Sequence, residues 1–288
     1  MTATASSTHR VTPLARPTRD SGMRPNGGHL GLLALAAWTE LRSSARSAEF
    51  AVGAVGIPVL LYMMFGLPNP NELDGGTTIR TAMLVSLSAY GVVSLAIFSF
   101  GEHVARERGR GWTRTLRATP LPTRVYLVGK AIAAVAHAAL IVVAMSVLAA
   151  TAGGVDLPAT TWIAFGATML AGVLAFSALG FAIALLARPR AAAVISNLIF
   201  LPLAFASGFF MPLSELPATM RTIAPWLPTF HFGQLAYRTV MPAQDVADLT
   251  GVATGPIAAH LAWVAAATTA LAALALAAAR REAVSRRG

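Results

Sequence analysis

Six apolar stretches, at roughly 50–68, 81–101, 125–150, 162–187, 192–212 and 257–279, divide this chain. Crossing the hydrocarbon core of a bilayer takes roughly 20 apolar residues in helical form. Inside lipid every backbone N–H and C=O must find its partner within the protein, so each stretch predicts a helix. The alternating pattern of a membrane barrel is absent. An all-α membrane protein with six transmembrane helices is therefore expected. Composition agrees: 56% of the 288 residues are hydrophobic and 12% are charged, too little polar surface for a water-soluble domain. There is no cysteine, which excludes disulfides, thiolate zinc sites and thiol catalysis.

The stretches are flanked by recognisable segments. Residues 1–28 are rich in Thr, Ser, Pro, Arg and Gly and have no apolar middle, so a disordered tail is expected rather than a signal peptide. Between 30 and 47, Leu30, Leu33, Ala34, Ala37, Trp38 and Leu41 recur at helical spacing, with Arg42, Arg46 and Glu49 on the other side. That pattern predicts an amphipathic helix lying at the membrane interface, with Trp38 as an anchor, rather than an extension of the first span. Pro58 and Pro202 sit inside stretches and predict kinks. After the fifth stretch, Pro212, Pro217, Pro225 and Pro228 forbid one straight helix. Short re-entrant or surface-lying helices are expected there, before the last span. The expected organisation is a tail to 28, one membrane domain over 29–280, and a basic tail over 281–288.

Charge sets the orientation. The N-terminal segment, the connections after the second and fourth stretches, and the C-terminal tail hold 19 of the 22 basic residues. The remaining connections hold Arg80, Arg221 and Arg238. Basic residues mark cytoplasmic connections, so both termini are expected in the cytoplasm of a multi-pass protein of the cell membrane. The net charge of +10 is thereby assigned to the membrane surface, and no nucleic-acid partner is expected.

The missing chemistry narrows the function. No Asp or Glu lies inside any of the six stretches, and Glu102 only borders one. Proton- and ion-coupled carriers usually keep such carboxylates in the membrane. His137 and His260 do lie within stretches, where a histidine packed between helices is the simpler reading than one that titrates. HExxH, GxSxG and paired carboxylates are absent, as is GxxxxGK[ST]; the single lysine, Lys130, follows "LVG" and is not a P-loop lysine. A channel-like body remains, or one that borrows its energy from a partner on the basic side.

The second connection decides between them. An apolar stretch ends in "FGEHVARERGRGWTRTLRATPLPTRVYLVGK". This resembles the cytoplasmic connection of ABC-2 type transport permeases, the membrane subunits of drug, lipid and polysaccharide exporters, and in particular the daunorubicin-resistance-like members. The matching elements are Glu107 to Gly109 with Arg106 and Arg108, then Leu116 to Pro122, then Tyr126, Gly129 and Lys130. Residues 196–238, "SNLIFLPLAFASGFFMPLSELPATMRTIAPWLPTFHFGQLAYR", resemble the family's fifth span and outer helices. The resemblance covers about residues 30–280. It implies the permease half of an ATP-driven exporter, with ATP bound by a separate cytoplasmic ABC ATPase, no cofactor on this chain, and a second permease chain, identical or different, across the transport path.

Residues 102–124 fit a docking role on their own terms. Arg106, Arg110, Arg114 and Arg117 share one face of a helix, while Val104, Trp112 and Leu116 form another, apolar enough to seat in a groove. The residues alone leave this level with arginines that merely fix topology against lipid phosphate. The resemblance favours coupling, carried by Arg106, Glu107, Arg108, Arg110, Trp112, Arg114 and Leu116. Gly109 and Gly111 weaken a helix there. For the substrate path, Phe98, Met169, Phe205 and Phe209 suit a hydrophobic drug, a lipid or a glycoconjugate, and core packing explains the same residues. The competing functions are a passive channel or ion-coupled carrier, and a membrane scaffold or enzyme.

Overall fold

The computed structural model describes residues 29–45, 51–111, 118 and 123–285. Among these residues the chain is helical, and the one extended pairing is an isolated bridge between Glu72 and Thr78. The helices are α1 (His29–Ala45), α2 (51–66), α3 (Ile79–Gly109), α4 (Thr123–Thr151), α5 (Ala159–Leu186), α6 (Ala192–Ala206), α7 (Ala218–Ile223), α8 (Pro228–Val240), α9 (Ala243–Thr250) and α10 (Ile257–Ser285). The expected tail over 1–28 lies outside the described residues, and α10 runs on to Ser285.

Four helices are long and apolar enough to cross a membrane: α3, α4, α5 and α10. They coincide with the second, third, fourth and sixth apolar stretches. The first and fifth stretches form shorter apolar helices. Both are interrupted as their prolines and glycines require. In α2 a five-residue α-helical segment, Ile57–Leu61, carries Pro58 and is flanked by wider π-helical turns at Ala51–Gly56 and Tyr62–Gly66. Pro58 has no N–H to donate, and the change of winding absorbs the lost bond. In α6, Pro202 lies inside the helix, which ends at Ala206 before Gly208 turns the chain with φ +75°. That left-handed conformation is cheap only for glycine.

The centre of the molecule is α3. Every residue from Thr81 to Ile97 is buried, with α2, α4, α5, α6 and α8 packed around it. Its contact with α5 is closest at two glycines. A Cβ on Gly180 would sit 2.6 Å from the Ala96 carbonyl oxygen and 2.8 Å from the Phe100 Cβ. Small residues let membrane helices approach to backbone contact, where dispersion and packing replace the hydrophobic drive that lipid cannot supply. By contrast α10 packs on α5 and α8 and leaves Leu261, Leu274 and Leu276 exposed, as a lipid-facing helix would.

α1 packs along α4, with Ala37 buried and Trp38 exposed. A helix therefore stands where the interfacial amphipathic one is expected, and Arg46 and Glu49 lie outside the described residues. The proline-rich segment breaks into short helices as expected. Of these α8 is more than a surface element. It packs against α3, α5 and α10, and Thr229 to Gln234 are buried.

The three arginines at the end away from the basic connections are all held by carbonyl groups. Arg80 donates to Gly153, Arg221 to Ser214 at 2.8 Å, and Arg238 to Gly255 at 2.7 Å. At the same end the buried Asp245 of α9 accepts from the backbone N–H groups of Gly75 at 2.6 Å and Thr77 at 3.0 Å. The loop between α2 and α3 is thus pinned to the short helices that precede α10. His231 of α8 and His260 of α10 approach to 2.7 Å between their Nδ1 atoms, and His231 also bonds the Pro225 carbonyl at 2.9 Å and stacks on Trp263. His260 thus lies at a helix contact, but paired with a second histidine rather than alone.

Candidate coupling and transport site

α3 has 31 residues. At 1.5 Å per residue that is about 46 Å, well beyond the roughly 30 Å of a hydrocarbon core. Its last turns therefore project past the bilayer at the basic end, and they carry Glu102, Arg106, Glu107 and Arg108. Glu102 and Arg106 form an ion pair one turn apart on a partly exposed face. Arg108 turns inward. Its guanidinium donates to the carbonyls of Leu185 at 2.8 Å and Ala187 at 2.5 Å, the C-terminal end of α5. A cation there satisfies orphan carbonyls and meets the negative end of the helix dipole.

Glu107 points to the other side, into a cluster the sequence does not reveal. It accepts from the Tyr126 hydroxyl and from Lys130 Nζ at 3.0 Å. The same ammonium donates to Glu40 of α1 at 2.7 Å. The Lys130 side chain is only 4% exposed, and it lies over the Tyr126 ring at 5.2 Å. The one lysine of the chain is thus a three-way junction among α1, α3 and α4. A buried charge is tolerated only when paired and hydrogen-bonded, so these three helices cannot separate cheaply. Tyr126 and Lys130 belong to the resemblance motif but not to the expected site. Glu40 belongs to neither, and no local pattern shows that it meets a lysine 90 residues away.

The helix that carries the start of the arginine stripe ends at Gly109, and Gly111 takes φ +79°. Arg110 caps it, its backbone N–H bonding the Arg106 carbonyl at 3.0 Å, so these two arginines follow one another at helical spacing. Trp112, Arg114 and Leu116 lie outside the described residues. Arg110 borders an open cleft of about 860 Å³ together with Arg106, Arg188, Pro189 and Arg190. A Cβ on Gly109 would meet Pro189 at 2.8 Å, which places the end of α3 directly on the turn between α5 and α6.

Of the four residues expected along a substrate path, the structure keeps two together. Phe98 and Phe205 are the two ends of a line of aromatic rings between α3 and α6. Phe98 meets Phe200 at 5.6 Å, Phe200 meets Tyr90 at 5.2 Å, Tyr90 meets Phe210 at 4.9 Å and Phe210 meets Phe205 at 4.5 Å. Met169 and Phe209 are fully buried core residues and do not join it. Beside the line lies a cavity of about 260 Å³, walled by α2, α3 and α6. Between Ile97 and Val104, α3 widens into a π-helical turn, Phe98–His103. Four residues of that turn, Phe98, Ser99, Glu102 and His103, face the cavity. Such turns re-aim side chains and recur at functional sites.

A central helix, a knot at its projecting end and an aromatic-walled cavity are the geometry. The sequence itself matches the profile of the ABC-2 type transporter family over residues 32–240. The chain belongs to the ABC-2 type transporter family. It is also 30% identical over 202 residues, 70% of this chain and 82% of its relative, to YvfS of Bacillus subtilis (strain 168), a protein that carries the name of a transport permease. This ABC-2 type chain is accordingly a membrane transport permease. The family match spans α1 through α8, so it includes the Glu40–Lys130–Glu107 knot, the cavity and the whole of α3.

Proposed function

We propose that this chain is the permease subunit of an ATP-driven exporter, crossing the cell membrane six times with α2 and α6 as the two short spans and both termini in the cytoplasm. The energy comes from a separate cytoplasmic ABC ATPase that docks on residues 102–124, with Trp112 and Leu116 supplying apolar contact and Arg106, Arg108, Arg110 and Arg114 the register. ATP stays on that partner. A second permease chain completes the path along the α2 and α6 faces, where Leu60, Met63, Val194 and Leu198 are exposed. The cargo is hydrophobic or amphiphilic: a drug, a lipid or a glycoconjugate.

The observation that carries this reading is the junction at Lys130. It ties Glu107, on the projecting end of α3, to α1 and α4 through buried ionic bonds. A push delivered to the end of α3 moves three helices as one body, and α3 also forms a wall of the cavity. The absence of carboxylates within the apolar stretches leaves no proton-coupled alternative of the usual kind.

The test is copurification of the chain with the ATPase encoded beside it, then ATP-driven transport in proteoliposomes. Glu107→Ala should leave the complex assembled and reduce transport per ATP hydrolysed. A parent chain that binds no ATPase, or a Glu107→Ala variant that transports like the parent, would overturn the coupling reading.

A further inference from the structure

The arginine cleft and the aromatic cavity are neighbours. Glu102 lines both, and the first turns of α6 supply Ala193 to one and Asn197 to the other, the Asn197 side chain donating to the Ala193 carbonyl at 3.0 Å. The two spaces differ in charge. The cleft is bordered by four arginines and one glutamate, a net charge of +3. Its one carboxylate, Glu102, is already engaged with Arg106. Among the described residues the side chains of Arg110, Arg188 and Arg190 form no ion pair or hydrogen bond, and all three residues are exposed and line the cleft. The cavity is walled by Ile57, Tyr90, Leu95, Phe98, Phe200 and Leu201, and Ser94, Ser99, Glu102, His103 and Asn197 also line it.

We propose that these two spaces together hold a phosphate-headed amphiphile, its head in the cleft on Arg188 and Arg190 and its apolar tail along the cavity. This deepens the reading above, on which it rests for the cavity being part of the transport path, by naming the charge and polarity of what enters. Guanidinium groups bind phosphate oxygens with paired, charge-assisted hydrogen bonds. Two arginines beside one opening of net positive charge disfavour a cationic drug and favour an anionic head. The junction at Glu102 puts the change from polar to apolar where the π-helical turn begins to face the membrane interior. Arg188 and Arg190 lie outside the segment assigned to the ATPase, so the two sites can be tested apart.

The experiment uses the full chain in alkyl maltoside micelles and dodecyl phosphate carrying a diazirine in its tail. Irradiation should label peptides that contain Tyr90, Phe98 or Phe200. Unlabelled dodecyl phosphate should displace the probe at concentrations at least about tenfold below those needed with dodecyltrimethylammonium, as expected for loss of one charge-assisted contact. Arg188→Glu with Arg190→Glu should lower labelling about tenfold or more, while Arg188→Lys with Arg190→Lys should keep most of it and so control for folding. Inorganic phosphate that displaces the probe as well as dodecyl phosphate would show that the tail contributes nothing and overturn the amphiphile assignment. Equal potency of the ammonium compound, or labelling scattered over the lipid-facing helices, would overturn it too. So would a glutamate pair that labels normally but no longer retains the ATPase, because the cleft would then be a protein dock. In proteoliposomes with ATPase and ATP, movement of the labelled phosphate between leaflets identifies it as cargo, and labelling without movement identifies a resident phospholipid head. Failure of the underlying function reading is read separately, as no ATPase bound to the parent chain.

Discussion

Replacing Lys130 by methionine should destabilise the chain by about 3 kcal/mol. The substitution keeps nearly the full length of the side chain, so little cavity is created. What it removes is the ammonium that bridges Glu40 at 2.7 Å and Glu107 at 3.0 Å. Breaking a buried ion pair by deleting one partner costs about 3–5 kcal/mol, because the other charge is left uncompensated. Here two carboxylates are left facing one another, but each is 29% exposed, so water relieves part of the penalty and the lower end applies. Equilibrium unfolding in mixed detergent and sodium dodecyl sulfate micelles measures it. The triple variant Lys130→Met with Glu40→Gln and Glu107→Gln should recover most of the loss, since replacing a whole buried ion cluster is often neutral. The side-chain amide that this variant carries on α3 would still offer its oxygen to the Tyr126 hydroxyl. If Lys130→Met unfolds within about 0.5 kcal/mol of the parent, or if the triple variant is no more stable than the single one, the junction does not hold α1, α3 and α4 together.

Other expectations follow from single contacts. Gly180→Val drives methyl groups into the Ala96 carbonyl and Phe100, so the same unfolding assay should show a loss of about 1–3 kcal/mol. Asp245→Ala leaves the Gly75 and Thr77 N–H groups without their carboxylate, and limited proteolysis should then cut the 67–78 loop faster, at a stability cost of about 3 kcal/mol. Burial holds His231 below the ordinary histidine value of 6.5. The folded state therefore binds fewer protons than the unfolded one, and stability should fall as pH drops below about 6.5; His231→Gln should flatten that part of the profile between pH 7 and 5. In a chain with no cysteine, Arg190→Cys should resist impermeant thiol reagents in intact cells and react in inverted vesicles, and the reverse would overturn the orientation drawn from charge.

The parts legible in the sequence are those governed by local pattern. Apolar stretches of bilayer length mark the four long helices and locate the two short ones, and glycines at 109 and 111 foretell the break that ends α3. What the pattern hides depends on contacts between distant segments. Glu40 looks like any polar residue on an amphipathic helix, and only packing of α1 on α4 makes it a ligand for Lys130. Tyr90, Phe200 and Phe210 escape notice because aromatic residues in apolar stretches are ordinary. They become a line only when α6 lies against α3. The stripe of arginines is legible as far as Arg110, where the helix ends. What the sequence hides is that Arg188 and Arg190, from the far side of two spans, join Arg106 and Arg110 around one opening.

That gathering bears on how coupling and cargo relate. Glu107 and Glu102 lie five positions apart on α3, on either side of the step from π-helical to α-helical winding. One is locked to α1 and α4, and the other borders both the cleft and the cavity. A displacement transmitted through the Lys130 junction must therefore also shift the wall that separates the charged opening from the aromatic interior. The π turn is the one change of winding between them, of the kind that recurs at functional sites. Inserting one alanine between Ala105 and Arg106, in the α-helical stretch just before Glu107, would rotate Glu107 by about 100° relative to the membrane-embedded part of α3. Such an insertion should abolish the Glu107–Lys130 pair and transport together while leaving Thr81 to Ile97 packed. Retained transport with the insertion in place would mean that the two ends of α3 work independently.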